Sequence, residues 1–236
     1  MNYAIIAAGE GSRLRNEGLN VPKPIVEVMG EPLIVRMIRI LEQNNADSIS
    51  IIINENMPEV RRIIDHLGVS CELTVVESST ESSMHSFYEL TKVMKPGPFC
   101  LATVDTVFRE EEFVEFVEAF EADKESDGLM LVTPFVDDEK PLYVETDDDM
   151  TIIGFHDDCN SRTRYVSGGV YALRDNAIDV LHECIDNGVK RMRNYQRSLL
   201  IAGLRLKAYA VDKVVDIDHV GDIDVAQQLL QGGRQR

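Results

Sequence analysis

The stretch YAIIAAGEGSRL, residues 3–14, decides the reading of this chain. Its first half, YAIIAA, is a short apolar run that suits a strand buried on both faces. Its second half is Gly9-Glu10-Gly11-Ser12-Arg13-Leu14. Glycines directly after a strand let the backbone approach phosphate groups closely and turn its N–H groups toward them. Ser12 adds a hydroxyl donor, and Arg13 can fork onto phosphate oxygens. Lys23 follows within Pro22-Lys23-Pro24, where the two prolines limit its backbone freedom. The loop is not a dinucleotide fingerprint, because Leu14 stands where the third glycine belongs, and no Walker A lysine follows it. The plainer alternative is a tight turn with solvated Arg13 and Lys23. The joint pattern favours a phosphate cradle.

A local cradle of this kind is what the overall charge demands. The 236 residues carry 24 basic and 41 acidic side chains, a net charge of −17. Such a field repels polyanions and argues against nucleic-acid binding. A triphosphate is repelled too, unless a basic cluster and a metal ion reverse the sign locally. No apolar run is long enough to cross a bilayer, and the start of the chain has no basic region before its apolar run, so a cytoplasmic protein is expected. Cys71, Cys100, Cys159 and Cys184 lie far apart, without metal-ligand spacing, and read as reduced thiols.

Working outward, strand-like and helix-like segments alternate: strands at 48–54, 71–78 and 99–105, with helices opening at Glu31-Pro32 and Pro58 and running over 83–94 and 110–123. Gly68 is the expected C-cap of the Pro58 helix. This rhythm predicts an α/β fold, a three-layer arrangement with a mostly parallel central sheet. The second half reads differently. Strands at 129–136, 142–155 and 165–173, with a hairpin turn at Asp147–Asp149, predict a small β-rich lobe. Helices at about 175–187 and 191–202, a strand at 207–212 and a helix over 221–231 complete the pattern, with a frayed tail after it. One domain over 1–236 is expected, its nucleotide-binding half about 1–125 and its acceptor-binding half about 126–236.

AAGEGSRL, PKP and Gly30-Glu31-Pro32-Leu33 together resemble the opening signature of the sugar-nucleotide pyrophosphorylases and related nucleotidyltransferases. The resemblance is strong over about the first 40 residues and persists as element order over most of the chain. It implies a glycosyltransferase-A-like fold. It places phosphate binding on Gly9, Gly11, Ser12, Arg13 and Lys23, with main chain near Ala7, Ala8 and Gly9 facing the base. The serine-rich stretch 77–83 is where the family helps read the base, which falls here on Ser79, Ser82 and Ser83. Helix N-capping explains any one of those serines equally well.

Asp105 ends a predicted strand, where ligands of open α/β sheets collect. The family carries a Mg²⁺-binding aspartate there. The segment Val215-Asp216-Ile217-Asp218-His219 resembles the family's second acidic element. If it is extended, Asp216 and Asp218 share one side. Asp218 is the first choice as metal ligand and Asp216 the second, with His219 a neighbour of the site. Gly168-Gly169-Val170-Tyr171 resembles the family's acceptor strand and points to Gly168, Gly169 and Tyr171. The family's Glu-Lys-Pro is missing from its usual place. Glu139-Lys140-Pro141 stands too early in the order, leaving Arg162 or Arg164 as substitutes.

The expected activity is transfer of a nucleoside monophosphate from an NTP to a sugar 1-phosphate, with Mg²⁺ and release of pyrophosphate. Arg13 and Lys23 are the expected catalytic cations. A cytidylyltransferase acting on phosphocholine is an alternative, weakened by the absence of tryptophan. A non-catalytic nucleotide sensor is another. A glycosyltransferase would need its Asp-x-Asp at Asp147–Asp149, which reads better as a turn. A monomer or homodimer is expected.

Overall fold

The computed structural model describes residues 1–136 and 139–232. In chain order the first half contains β1 (Asn2–Ala7), α1 (Ser12–Asn16), β2 (Glu27–Val28), β3 (Glu31–Pro32), α2 (Leu33–Gln43), β4 (Ser48–Ile53), α3 (Pro58–Asp65), β5 (Glu72–Glu77), α4 (Ser83–Thr91), β6 (Phe99–Thr103), β7 (Thr106–Val107) and α5 (Glu110–Ala122). The second half contains β8 (Gly128–Thr133), β9 (Tyr143–Thr146), β10 (Ile152–His156), β11 (Thr163–Leu173), α6 (Asn176–Asp186), α7 (Met192–Ile201), β12 (Leu206–Ala210), β13 (Val215–Asp216) and α8 (Val220–Gln231). The tail beyond Gly232 lies outside the described residues.

Strands β5, β4, β1 and β6 lie side by side and parallel. The long strand β11 runs antiparallel to β6, and β8 then β12 continue the sheet beyond it. The hairpin β9–β10 adds to the first half of β11, forming the β-rich lobe. Its turn is fixed by Asp147, which accepts the N–H groups of Asp149 and Thr151 at 3.0 and 2.8 Å.

The alternation of β1 explains the three layers. Tyr3, Ile5 and Ala7 point into one core, packed with α2, α3, α5 and α8. Ala4 and Ile6 point into the other, under α4, α6 and α7. The helical stripes read from the sequence are inward: Leu33, Met37 and Leu41 on α2, and Phe113, Phe116, Val117 and Phe120 on α5, are all buried. Among the described residues no helix is long and apolar enough to cross a membrane.

Two local expectations need correction. Helix α3 ends at Asp65 with His66 as its C-cap, two residues before Gly68. Glu31 and Pro32 form a short strand with β2, and the helix starts after them, with Pro32 at the N-cap. The short pair β7–β13 has no counterpart in the sequence reading. It matters because it sets Thr106 opposite Asp216 and so brings the late acidic segment to the end of β6.

Candidate active site

The carboxyl ends of β1 and β6 open into a cavity of about 570 Å³. Between β1 and α1 the chain turns through Gly11, whose φ of +60° lies in the left-handed region. A Cβ there would stand 2.9 Å from the Lys23 Cβ. Glycine therefore serves twice, supplying the turn and letting the loop lie directly on the proline-flanked lysine. Lys23 itself is buried at 7% exposure.

Its ammonium bridges two acids. Nζ contacts an oxygen of Asp105 and lies 2.6 Å from Asp218 Oδ1. Arg13, on α1, reaches the other Asp218 oxygen, with Nη1 2.5 Å from Oδ2. Burial works against the charge of both Lys23 and Asp218. The ion pairs outweigh it, so the lysine is raised above its ordinary range and Asp218 held below the usual carboxylate range. Asp216 behaves oppositely. Burial, and then the nearby Asp105, push its carboxyl well above that range, although Thr106 Oγ1 donates to it at 3.0 Å.

Asp216 and Asp218 both face the cavity, but not through an extended backbone. The Asp218 N–H donates to the Asp216 carbonyl at 3.0 Å, so the chain turns between them. The donor set fits a hard divalent cation. Two carboxylates already converge on one cationic nitrogen, and Mg²⁺ commonly takes one or two carboxylates and fills its shell with water and substrate phosphates. Among the described residues no cluster of three or more His, Cys, Asp or Glu is arranged to hold a metal by protein ligands alone.

The opposite wall comes from β11 and α7. Between Ser167 and Tyr171 the pairing with β8 shifts register. Gly169 sits in that irregularity at φ +73°, where a Cβ would lie 2.6 Å from Thr106 Oγ1 and 2.9 Å from Thr103 Oγ1. Tyr171 is buried, which pushes its hydroxyl up to about 12, so it stays a neutral hydrogen-bonding group. Gln196, on α7, donates from Nε2 to that hydroxyl at 3.1 Å.

Most residues singled out from the sequence meet here: Gly9, Gly11, Ser12, Arg13, Lys23 and Ser83 on one side, Asp105, Asp216 and Asp218 at the floor, Gly169 and Tyr171 opposite. Others do not line the cavity. Ala7 is buried in β1. The Ala8 carbonyl accepts from Asn54 Nδ2 at 3.3 Å. Ser79 bonds Asn54 and Asn56. Ser82 occupies the N-cap position of α4 but makes no side-chain cap hydrogen bond, its hydroxyl bonding the His85 ring instead. Gly168 faces a smaller adjoining cavity.

The basic residues that line the cavity's far wall are not those expected for an acceptor phosphate. Arg162 pairs with Glu145 at 3.1 Å, and neither it nor Arg164 lines the cavity. Lys140, Arg191 and Arg193 do. Lys140 belongs to the Glu-Lys-Pro that chain order had set aside. Arg191 holds a φ of +74°, unusual for a side-chain-bearing residue. A basic run, Lys190-Arg191-Met192-Arg193, in so acidic a chain is the signal that would have marked this wall.

The model of one family, the MobA-like NTP transferase domain, matches residues 3–194. The choline-phosphate cytidylyltransferase of Streptococcus pneumoniae is 23% identical over 240 residues, covering 98% of this chain and 90% of that protein. The bifunctional IPC transferase and DIPP synthase of Thermococcus kodakarensis is 30% identical over 112 residues, which are 47% of this chain and only 24% of that longer protein. Among solved structures, the inositol-1-phosphate CTP transferase from T. maritima shares the fold, with a TM-score of 0.79 at 18% identity over 100% of this chain and 98% of that one. The family match runs from the first strand through the glycine loop to the start of α7, and the chain belongs to the MobA-like NTP transferase domain family: it is a nucleotidyltransferase.

Proposed function

We propose that the chain transfers a nucleoside monophosphate from an NTP to the phosphate of a sugar 1-phosphate or a similarly hydroxylated ring phosphate, releasing pyrophosphate with Mg²⁺ in the cytoplasm. The observation that carries this reading is the convergence of Arg13, Lys23, Asp105 and Asp218 on one point of a cavity whose far wall holds Gly169 and Tyr171.

In this reading an oxygen of the acceptor phosphate attacks the α-phosphorus in line. A new P–O bond forms as the bond to pyrophosphate breaks. The attacking oxygen is already ionised, so no side chain need act as general base. Arg13 and Lys23 stabilise charge on the α-phosphate and the leaving group. Asp105 and Asp218, with Asp216 behind them, would hold Mg²⁺, which supplies charge neutralisation and a template for the phosphates. Gly9, Gly11 and Ser12 present backbone and hydroxyl donors to the triphosphate. Lys140, Arg191 and Arg193 offer the acceptor phosphate its countercharge.

The cytidylyltransferase relative makes phosphocholine a second acceptor to test, and the names of that relative and of the structural neighbour favour CTP as the first donor to try. The wall argues against choline. Quaternary ammonium groups are held by exposed aromatic faces. Tyr171 is the one aromatic residue described along this cavity, and it is buried with its hydroxyl engaged. Neutral hydrogen-bonding groups, Ser167, Gln196 and the Tyr171 hydroxyl, suit ring hydroxyls instead.

The test is pyrophosphate release with Mg²⁺, using each NTP against sugar 1-phosphates, inositol 1-phosphate and phosphocholine. Release requiring one nucleotide and one hydroxylated ring phosphate supports the proposal. Release with phosphocholine alone replaces the acceptor. A triphosphate that binds without turnover with any acceptor replaces catalysis by sensing.

A further inference from the structure

Helix α1 places two side chains on one face. Arg13 and Glu17 are four residues apart, and the Glu17 N–H still donates to the Arg13 carbonyl at 3.1 Å, so the helical geometry reaches Glu17. They contact neighbouring residues more than 200 positions along the chain. Arg13 holds Asp218. Glu17 bonds the His219 ring at Nδ1, 2.5 Å away, and accepts the Val220 N–H at 2.8 Å. That N–H belongs to the first turn of α8, where helical donors lack intrahelical partners. From the other side Asp222 Oδ2 accepts the N–H groups of Asp218 and His219, at 2.8 and 2.6 Å. The turn bearing Asp218 is thus tied to α8 by Asp222 and to the glycine-loop helix by Glu17.

These ties differ in what catalysis asks of them. Under the function proposed above, on which this inference rests, Arg13 must leave Asp218 for the phosphates while Asp218 turns to the metal. The contact from Glu17 uses no group that meets substrate, so it can persist. We propose that Glu17 is a positioning residue: through the His219 ring and the Val220 N–H it keeps the Asp218 turn in register with the glycine loop after Arg13 has moved to the phosphates. His219 is then the partner that makes this tie. Both side chains are more than one-third exposed, so little of the fold depends on their contact.

The test uses the full chain with Glu17→Ala and Glu17→Gln. The binding probe is Mg²⁺ with inorganic pyrophosphate, followed by calorimetry, which needs neither base nor acceptor to be known. Steady-state pyrophosphate release and melting temperature are measured beside it. Glu17→Ala is expected to weaken pyrophosphate binding about ten-fold and lower kcat about 100-fold, as misplacement of a catalytic group by an ångström does. The acceptor KM stays within about two-fold, since that wall is untouched, and Tm shifts by only about 2 °C. Glu17→Gln keeps an oxygen for the Val220 N–H and recovers most of the loss. Unchanged binding and kcat in Glu17→Ala overturn the inference. So does an equal loss in both variants, or a fall in kcat that merely follows a large fall in Tm. A wild-type chain that neither binds pyrophosphate nor releases it overturns the proposed function together with this inference, whereas an intact wild type with an indifferent Glu17→Ala overturns this inference alone.

Discussion

Lys23 Nζ lies 2.6 Å from Asp218 Oδ1 and, through the same nitrogen, ties that carboxylate to Asp105. The cation assigned to the phosphates is thus held between the acids assigned to the metal. Loading Mg²⁺ and an NTP would exchange partners without leaving any charge unpaired. Lys23→Met removes the cation and leaves two partly buried carboxylates facing each other. The expected cost is about 3 kcal/mol, typical of breaking a buried pair. Millimolar Mg²⁺ without nucleotide should then raise the variant's melting temperature more than the wild type's, because binding to the folded state alone stabilises it. Thermal melts with and without Mg²⁺ check this. A variant indifferent to Mg²⁺ would mean that the carboxylates do not form a cation site.

Arg13→Ala should separate stability from catalysis. The Arg13 side chain is 44% exposed, so its loss should cost the fold no more than about 1 kcal/mol. Under the proposed function Arg13 meets the α-phosphate, which predicts a fall in kcat of about 100- to 1000-fold, the usual loss for a donor aimed at transition-state charge. Pyrophosphate release at saturating substrates is the measurement. Wild-type turnover would remove Arg13 from the catalytic set.

Asp216→Asn should act in the reverse sense. The carboxyl of Asp216 is raised by burial and by Asp105, so the charge is a liability to the ligand-free fold. Asparagine keeps an acceptor for Thr106 and removes the charge. The metal-free variant is expected to melt at or above the wild-type temperature while pyrophosphate release falls at least about ten-fold. A variant both less stable and fully active would show that Asp216 serves the fold alone.

The parts of this site that could be read from the sequence are those fixed by local chain geometry. The glycine loop, with Arg13 just after it, and Asp105 follow the ends of β1 and β6, and a strand end is legible from alternation and a following turn; Lys23 lies well beyond β1 and is marked by its flanking prolines. Asp216 and Asp218 were also legible, although a turn rather than an extended backbone brings both to the cavity. What escaped depends on packing between distant segments. Gln196 reaches the site because α7 lies over the sheet face carrying Ala4 and Ile6, and no local pattern states that; Arg193 arrives by the same packing, and only the basic run at 190–193 hints at it. Lys140 stands too early by chain order, yet it lines the cavity, where its carbonyl accepts from Arg193 Nη2 of α7 at 2.7 Å. Arg162 stays away from the cavity because it pairs with the buried Glu145 of β9 at 3.1 Å.

Gly169→Ala tests the link between the two walls. A Cβ at φ +73° is strained, and here it would also strike Thr106 Oγ1, the donor to Asp216. The cost is expected at about 2–3 kcal/mol from the left-handed backbone and the overpacking together. Because the clash displaces Thr106, kcat should fall further than the loss of folded protein explains. Activity normalised to the folded fraction, measured below the variant's melting range, distinguishes the two. A normalised kcat equal to wild type would leave Gly169 with a packing role only.

Gln196→Leu addresses the choice of acceptor. Gln196 is 3% exposed and donates to the Tyr171 hydroxyl at 3.1 Å. Its amide has a second N–H to offer a ligand, and leucine is similar in size but can offer none. If that amide reads a ring hydroxyl, the variant's kcat/KM for the acceptor should fall at least about ten-fold, as a lost hydrogen bond in a buried site does. The KM for the NTP should stay within about two-fold, since Gln196 stands on the wall opposite the glycine loop. The acceptor analogue lacking that hydroxyl should react equally poorly with wild type and variant, which ties the loss to one hydrogen bond rather than to a collapsed wall. Equal losses of kcat/KM for the NTP and the acceptor would instead show that Gln196 supports the cavity as a whole, and the preference for hydroxylated acceptors would then have to come from Ser167 or the Tyr171 hydroxyl.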